Sequence, residues 1–502
     1  MDTWTGLLQG LSTALTPGNL LAVTIGVLVG MVIGVLPGLG PTATMAMLLP
    51  VTFTMEPTTA VIMLAGIYYG SMYGGTITTI LVNVPGEVAS VVTALDGYAL
   101  ARQGRAGPAL GIAAVGSFIG GVVAVLALVV LATPLIELSR NFGPPEIFLI
   151  ALIGLALVVA IASGRPVRAM IAACVGLVVA TVGQDPLTGV GRFTFGSLEL
   201  NSGIDIVAVA MGLFGIGEIV YRMKGAETPV KVPRGLRGAY PTRGDLVASA
   251  PAIARGSVIG SLIGLLPGGG GVLSSMTSYA VEKRLAKKPE RFGKGAIEGV
   301  AGPETANNAG SQTGFLPLLT LGLPTSAVMA LVYGALQIQG ITPGPKFVQD
   351  SPEIFWGIIA SMLIGNAILL FLNVPLMGAF AQLLRVPMVV IGVVTIMISL
   401  VGVYALNNEP FDVLVAICAG VIGYFMRRWG YEAGPVVLAG IIGVLLEVNL
   451  RRMMSMSTNG LGILLERPLT IGLLIIFGAA IVLSILAVRR GRKGFDINEG
   501  AD

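Results

Sequence analysis

Histidine is absent from the 502 residues, cysteine occurs twice, and only 11% of positions are charged. Each shortage excludes something. Without histidine there is no H-E-x-x-H motif and no His-based proton relay, and a zinc site is not expected. Cys174 and Cys418 lie far apart inside apolar segments, so no disulfide framework is expected. A soluble globular chain carries about a quarter charged residues. This one is 54% apolar with a mean hydropathy of +0.88, which excludes an ordinary soluble enzyme. No G-x-x-x-x-G-K-[ST] and no G-x-S-x-G occurs, so neither ATP hydrolysis nor serine-hydrolase chemistry has a motif to rest on. The net charge of +4 is small and its basic residues are dispersed, which argues against a nucleic-acid partner. The start, MDTWTGLLQG, lacks the basic region of a cleaved signal peptide, so the first apolar run is expected to be retained.

What is plentiful is glycine, 71 residues, roughly twice its usual share. Glycine inside long apolar runs is a habit of membrane helices that pack closely. The expected class is therefore an all-α polytopic membrane protein. Apolar stretches recur from Val61 onward with short polar connections, the longest of which, Arg222 to Ser249, reads as a loop. Basic residues sort the connections by side. Those with Arg102 and Arg105, Arg165 and Arg168, Arg222 to Arg243, Lys283 to Lys294, Arg427 and Arg428, and the tail RRGRKG fall in the cytoplasm. Met55 to Thr59, Gln184 to Gly203, Thr342 to Glu353 and Asn407 to Glu409 fall outside. About eleven crossings thread these assignments, with the N-terminus outside and the C-terminus inside, if two further segments enter and leave on one side. Arg451 and Arg452 then end up outside, against the rule.

Those two segments resemble each other. Gly26-Val-Leu-Val-Gly30-Met-Val-Ile-Gly34-Val-Leu-Pro37-Gly38-Leu-Gly40-Pro41 aligns without a gap on Gly256-Ser-Val-Ile-Gly260-Ser-Leu-Ile-Gly264-Leu-Leu-Pro267-Gly268-Gly-Gly270-Gly271. Further on, Gly70-Ser71 and Gly74 match Gly310-Ser311 and Gly314, and Asn83-Val-Pro85 matches Gly322-Leu-Pro324 after one inserted residue. The chain reads as an internal duplication. The first Pro-Gly segment lies between connections without Lys or Arg and the second between strongly basic ones, so the halves are expected to be inverted. The expected organisation is a first membrane repeat (1–221), a cytoplasmic basic linker (222–250), a second repeat (251–449), an extra helical segment (450–487) and a cytoplasmic tail (488–502). Only about ten residues separate Gly271 from Glu282, about half a bilayer of helix. The second copy is therefore expected to enter as a re-entrant hairpin; for the first copy a hairpin and a broken crossing helix both remain open.

A Pro-Gly-x-Gly break at membrane depth frees backbone groups, which is tolerable only where protein or a wet cavity surrounds it. Two such breaks related by symmetry point to one shared cavity. Helices restarting at Gly40 and Gly271 would aim N–H groups at an anion, each end contributing about 0.3 to 2 kcal/mol, while unwound carbonyls could hold Na+. Ligands for that ion are not identifiable from sequence. The regular glycines before each break, in contrast, read as a smooth packing face. Candidate substrate or cation contacts are Pro37, Gly38, Gly40, Thr42, Ser71, Asn83, Pro85, Pro267, Gly268, Gly270, Asn307, Asn308, Gln312, Thr325 and Ser326. Thr44, Ser274 and Ser275 share the first helical turns. The stretch Gly302 to Gly314 is too polar to face lipid, and Glu304 within it is a possible ionisable coupling residue in a wet or protein-lined setting. Its amides have the alternative of merely bonding neighbouring helices. Glu87, Asp96 and Glu298 could equally lie near the membrane interfaces.

The strings GVLPGLGPTATMAMLLP, YYGSMYGGTITTILVNVPGE, GLLPGGGGVLSSMTSYAVEKRLAKKPERFGKGAIEGVAGPETANNAGSQTGFLPLLTLGLPTSAVMA and ALQIQGITPGP resemble TctA, the large membrane subunit of the tripartite tricarboxylate transporters, over nearly the whole chain. The resemblance implies a multi-pass permease of the bacterial inner membrane, not an enzyme, without cofactor. It further implies a small membrane subunit and a periplasmic solute-binding receptor as partners, and uptake of carboxylates on a cation gradient. Where the family often has His, this chain has Gln339, and with no histidine anywhere Na+ is favoured over H+ as the coupling ion. A passive channel or exporter, and a non-transporting scaffold, are the competing classes.

Overall fold

A computed structural model describes residues 3–36, 40–83, 87–139, 141–161, 166–185, 188–224, 241–266, 270–383, 387–457 and 460–490. In chain order the helices are α1 Thr3–Ala14, α2 Pro17–Gly34, α3 Gly40–Leu48, α4 Pro57–Val82, α5 Val91–Arg102, α6 Ala106–Ser139, α7 Pro144–Ile161 and α8 Pro166–Ala180. After a short hairpin come α9 Leu198–Asn201, α10 Ile206–Ala210 running into a π-helix, Met211–Glu218, and α11 Ile219–Met223. The remainder are α12 Arg243–Gly264, α13 Gly270–Leu285, α14 Glu298–Thr313, α15 Phe315–Leu321, α16 Ala327–Ile338, α17 Phe347–Asp350, α18 Pro352–Leu383, α19 Met388–Asn407, α20 Pro410–Arg428, α21 Gly434–Met456 and α22 Pro468–Arg490. Among the described residues, seven helices are long and apolar enough to cross a membrane: α2, α4, α6, α12, α18, α20 and α21. The all-helical membrane class expected from composition is what is found.

The chain packs into two compact units. One comprises Met1–Arg140 and Val207–Trp429, the other Asn141–Ile206 and Gly430–Asp502.

In the first unit the regular glycines are packing surfaces. A Cβ on Gly26, Gly30 or Gly34 of α2 would strike the carbonyl oxygens of Met63, Ile67 and Ser71 on α4. On α12, Gly256, Gly260 and Gly264 lie in the same way against the carbonyls of Gly302, Ala306 and Gly310 on α14. Small residues let helix backbones approach this closely, and the contact is then van der Waals along the whole crossing. The two crossings correct the sequence register. Ser71 holds the place of Gly310, not of Ser311, and an equal number of residues then leads to Asn83 and Gly322. Both of these end their helices in the left-handed conformation, at φ 56° and φ 71°, and no inserted residue is needed between the two stretches.

Two further expectations are corrected. The stretch from Arg222 to Ser249 is not all loop, because α12 begins at Arg243. Thr242 caps it by accepting from the Asp245 N–H, while the Asp245 carboxylate accepts from the Thr242 N–H at 3.0 Å, a reciprocal capping box. Nor does the arm after Gly271 stop short of Glu282: α13 runs to Leu285, about 24 Å of helix. Glu282 is tolerated there because Arg255 of α12 grips it with two hydrogen bonds, 2.7 and 2.5 Å. That pair also shows α12 and α13 lying side by side.

Connections of like charge class meet. Arg105 bonds Asp245 at 2.5 Å and Gln103 donates to the Lys294 carbonyl at 2.9 Å, joining three connections rich in basic residues. On the other side of the division, Thr59 donates to Asn19 at 2.6 Å and Gln9 to Glu353 at 3.4 Å.

In the second unit Phe148, Leu149, Met453, Ile463 and Leu464 form a small core. Buried Glu146 pairs with Arg467 at 2.8 Å. Arg451, which breaks the charge rule, bonds Asp185 and, at 2.7 Å, Glu447. Arg192 bonds the same two acids.

Gly30→Ala and Gly260→Ala are each expected to cost about 1 to 3 kcal/mol by overpacking, read as a lower unfolding temperature of the purified protein. Gly18→Ala adds a methyl with nothing within 4 Å and should leave that temperature unchanged. Equal unfolding temperatures for all three would remove the close crossings.

Candidate functional site

The site is assembled on α14, which contradicts its composition. Every residue from Gly299 to Thr313 is buried, although the helix carries Glu304, Asn307, Asn308 and Gln312. The protein-lined setting expected for Glu304 is thus what surrounds it. The physical reason is enclosure: α12, α13, α4, α5 and α6 all pack against this one helix.

Its polar side chains serve different neighbours. A helix turns about 100° per residue, so adjacent Asn307 and Asn308 part company. Asn307 Nδ2 donates to Glu87 Oε1 at 2.6 Å, and its Oδ1 sits over the start of α13, where any Cβ on Gly271 would collide with it. Asn308 instead donates to Ser117 of α6 at 2.7 Å and to the Glu304 carbonyl at 3.1 Å. Gln312 exchanges two bonds with Asn366 of α18, 2.9 and 3.0 Å. That reciprocal amide pair is complete, so Gln312 acts as interhelical glue, the alternative that its sequence left open.

Around Asn307 several non-helical segments converge. Ser275 of α13 donates to the Ala89 carbonyl at 2.6 Å, tying the restarted helix to the segment after Glu87. Ser326 lies 3.7 Å from where a Gly270 Cβ would be and caps α16 by accepting from the Met329 N–H at 3.2 Å. Thr325 is buried and donates to the Gly314 carbonyl at 3.3 Å. The Tyr68 hydroxyl of α4 lies among Ser311, Ser326 and Glu87. One turn before Asn307, Glu304 accepts from Thr76 Oγ1 and Thr93 Oγ1, both at 2.6 Å. Ser90 donates to Glu87 Oε1 at 3.0 Å and also reaches Glu304.

Among the other expected residues, Gly40 and Gly270 begin α3 and α13 with φ of +61° and +42°, values that favour glycine. In the first turns Thr44 and Ser274 bond back to the carbonyls of those two glycines, each at 2.7 Å. Thr42 is half-buried on α3. Ser71 donates to the Tyr68 carbonyl of its own helix at 2.7 Å while its backbone abuts Gly34, so it belongs to the packing face. Asn83 is exposed at the end of α4. Pro37, Gly38, Pro85, Pro267 and Gly268 lie outside the described residues. On the side of the first break, α3 packs on α4, which carries Tyr68 and Thr76, and α16 packs on both α3 and α4. Gln339 ends α16 and donates to the Thr52 carbonyl at 2.9 Å.

Sequence reasoning missed Tyr68, Thr76, Ser90, Thr93 and Ser311, and left open whether Glu87 and Asp96 lie near the interfaces. Both acids are buried. Asp96 accepts from Tyr279 at 2.9 Å and from the N–H groups of Gly293, Gly295 and Ala296, a fastening for the connection before α14. For Glu87 a signal existed: the corrected register that aligns Asn83 with Gly322 aligns Glu87 with Ser326. No group of three or more metal-ligating His, Cys, Asp or Glu occurs among the described residues.

Gln312→Leu and Asn366→Leu are each expected to lower stability by about 1 to 3 kcal/mol, because each strands the other amide. The double variant should lose less than the sum of the two, measured as a thermal double-mutant cycle. Simple additivity would separate the two side chains.

Comparison with known proteins bears on what such a site belongs to. A sequence profile described as "Tripartite tricarboxylate transporter TctA family" matches residues 20–438. An Agrobacterium vitis protein, "Uncharacterized 52.8 kDa protein in TAR-I ttuC' 3'region", is 47% identical over 494 residues, covering 98% of each chain. A second from the same organism, "Uncharacterized protein in TAR-II ttuC' 3'region", is 47% identical over 234 residues, 47% of this chain and 97% of its own. No solved structure matches. With a profile match over most of its length and a full-length relative beside it, the chain belongs to the TctA family of tripartite tricarboxylate transporters.

Proposed function

We propose that this chain is the permease subunit of a receptor-dependent secondary transporter. It imports tricarboxylate-like organic acids by alternating access, driven by a cation gradient, with Na+ as the coupling ion. Family membership supports a transporter permease. The observation that carries the finer reading is the convergence on buried Asn307 of the α13 restart, the segment around Glu87 and the cap of α16. Restarted helices offer N–H groups and hydroxyls to carboxylates, and the buried acids suit a cation.

Energetics favours a coupled carrier over a channel. Importing one negative charge against about 100 mV costs about 2.3 kcal/mol, hence about 7 kcal/mol for a trivalent anion. Cotransported cations offset that. The partners in this reading are a small membrane subunit and a periplasmic receptor in the bacterial inner membrane. Substrate selectivity resides largely in the receptor.

The inverted arrangement of the halves belongs to the same reading. It is supported by α2 starting beside the connections poor in basic residues and α12 starting beside the basic ones. Single cysteines replacing Thr58 and Lys288, in a background lacking Cys174 and Cys418, test it by labelling intact cells. Thr58 is expected to label from outside and Lys288 only after permeabilisation; equal labelling would reject inversion.

Transport is tested in proteoliposomes with the partner subunit and receptor. Saturable accumulation that collapses with the Na+ gradient and needs the receptor is expected. Current linear in voltage without partners would favour a channel, and no flux despite receptor binding a scaffold. Asn307→Ala should lower uptake at least about tenfold, corresponding to a lost hydrogen bond to a charged group of about 1.5 to 3 kcal/mol. Unchanged uptake would displace the site.

A further inference from the structure

Building on the coupled-carrier reading, we infer that Glu87 and Glu304 together hold one monovalent positive charge, a proton or a Na+ ion, between the segment after α4 and helix α14. The site stands out against four other buried acids. Asp96 receives three backbone N–H groups and a tyrosine hydroxyl. Glu146, Asp245 and Glu282 each face an arginine. Glu304 is fully buried and Glu87 only 5% exposed, yet the partners of their carboxylates are neutral: Thr76, Thr93, Ser90 and Asn307. Among the described residues neither acid forms an ion pair.

Two buried carboxylates within electrostatic range repel each other, and burial removes the water that would screen them. A positive charge between them removes both penalties. Two unsatisfied groups lie beside the pair, one next to each acid. Asn307 Oδ1 is buried without a partner on the carboxamide that holds Glu87. The Tyr73 hydroxyl, one turn before Thr76 on α4 and within electrostatic range of Glu304, is likewise buried without a partner. The assembled donors are carboxylate, amide and hydroxyl oxygens, the hard set that suits Na+ and equally a shared proton. With histidine absent, carboxyl groups are the natural carriers of such a charge.

The titratable groups around the pair are few. Tyr68 and Tyr73 face it from α4. On α5, Asp96 is taken up by Tyr279 of α13 and the amides before α14, and Arg255 of α12 is taken up by Glu282 of α13. Where Na+ replaces a proton, the carboxylic O–H breaks, the proton passes to water and the carboxylate binds the ion, so charge is conserved.

Infrared difference spectra of the full-length protein in lipid nanodiscs test this without any flux. At fixed pH, exchange of choline chloride for sodium chloride is expected to remove a protonated-carboxyl band. In choline alone, alkaline buffer should remove the same band. A response to pH but not to sodium would identify the charge as a proton. Glu304→Gln should abolish the band, and Glu87→Gln should shift or abolish it. If these variants do not fold, Ser90→Ala, which leaves both acids in place, should still shift it. A wild-type spectrum silent to both exchanges, or a band unchanged in all three variants, would overturn the inference. A responsive band in a protein without flux would overturn the carrier reading alone, and gradient-driven flux without the band would overturn this inference alone.

Discussion

The close approach of helix backbones through glycine is the constraint on which the rest depends. In lipid there is no hydrophobic drive between helices, so cohesion comes from packing and interhelical hydrogen bonds. Where α2 meets α4 and α12 meets α14, glycine on one helix lies directly against carbonyl oxygens of the other. A crossing that tight fixes the register of both partners to a single residue. It therefore fixes where each partner ends, and the helix ends carry the chemistry. Asn83 and Gly322 terminate their helices in the same left-handed conformation at equivalent distances from the two crossings.

The tight crossings also make room for α14. A helix with two acids and three amides along its length pays heavily for lipid exposure, and it is stable here because its neighbours enclose it. Enclosure is not neutral toward its side chains. Gln312 and Asn308 meet amide or hydroxyl partners on α18 and α6 and so lock those helices. Asn307 and Glu304 meet segments near the breaks. One helix thus carries both the interhelical locks and the residues of the candidate site.

This division explains how much could be read from sequence. The glycine rows and the helix restarts near Gly40 and Gly271 were legible because they follow from backbone geometry, which two similar sequence stretches make visible twice. The polarity of α14 was legible as a need for enclosure. Which of Asn307, Asn308 and Gln312 faces the site was not, because all three share one short polar run and only their neighbours separate them. Matching identical residues, Gly70-Ser71 with Gly310-Ser311, moved the register by one position and hid the equivalence of Glu87 and Ser326. Packing recovers it, since the contact with Gly34 and Gly264 depends on the backbone and not on side-chain identity.

Charge shows the same limit from the other direction. The positive-inside rule counts residues, and by that count Arg451 sits on the wrong side. What membrane insertion opposes, however, is an uncompensated cation. Arg451 and Arg192 share Asp185 and Glu447 in one network of two positive and two negative groups. Its net charge is zero, so it exerts little pull on orientation. The acids that compensate it lie far from Arg451 in sequence or one helical turn away, and only the fold brings the four together. Arg255 inside α12 is reconciled in the same way by Glu282. A loop-by-loop tally of basic residues therefore overcounts positions where the fold supplies an acid.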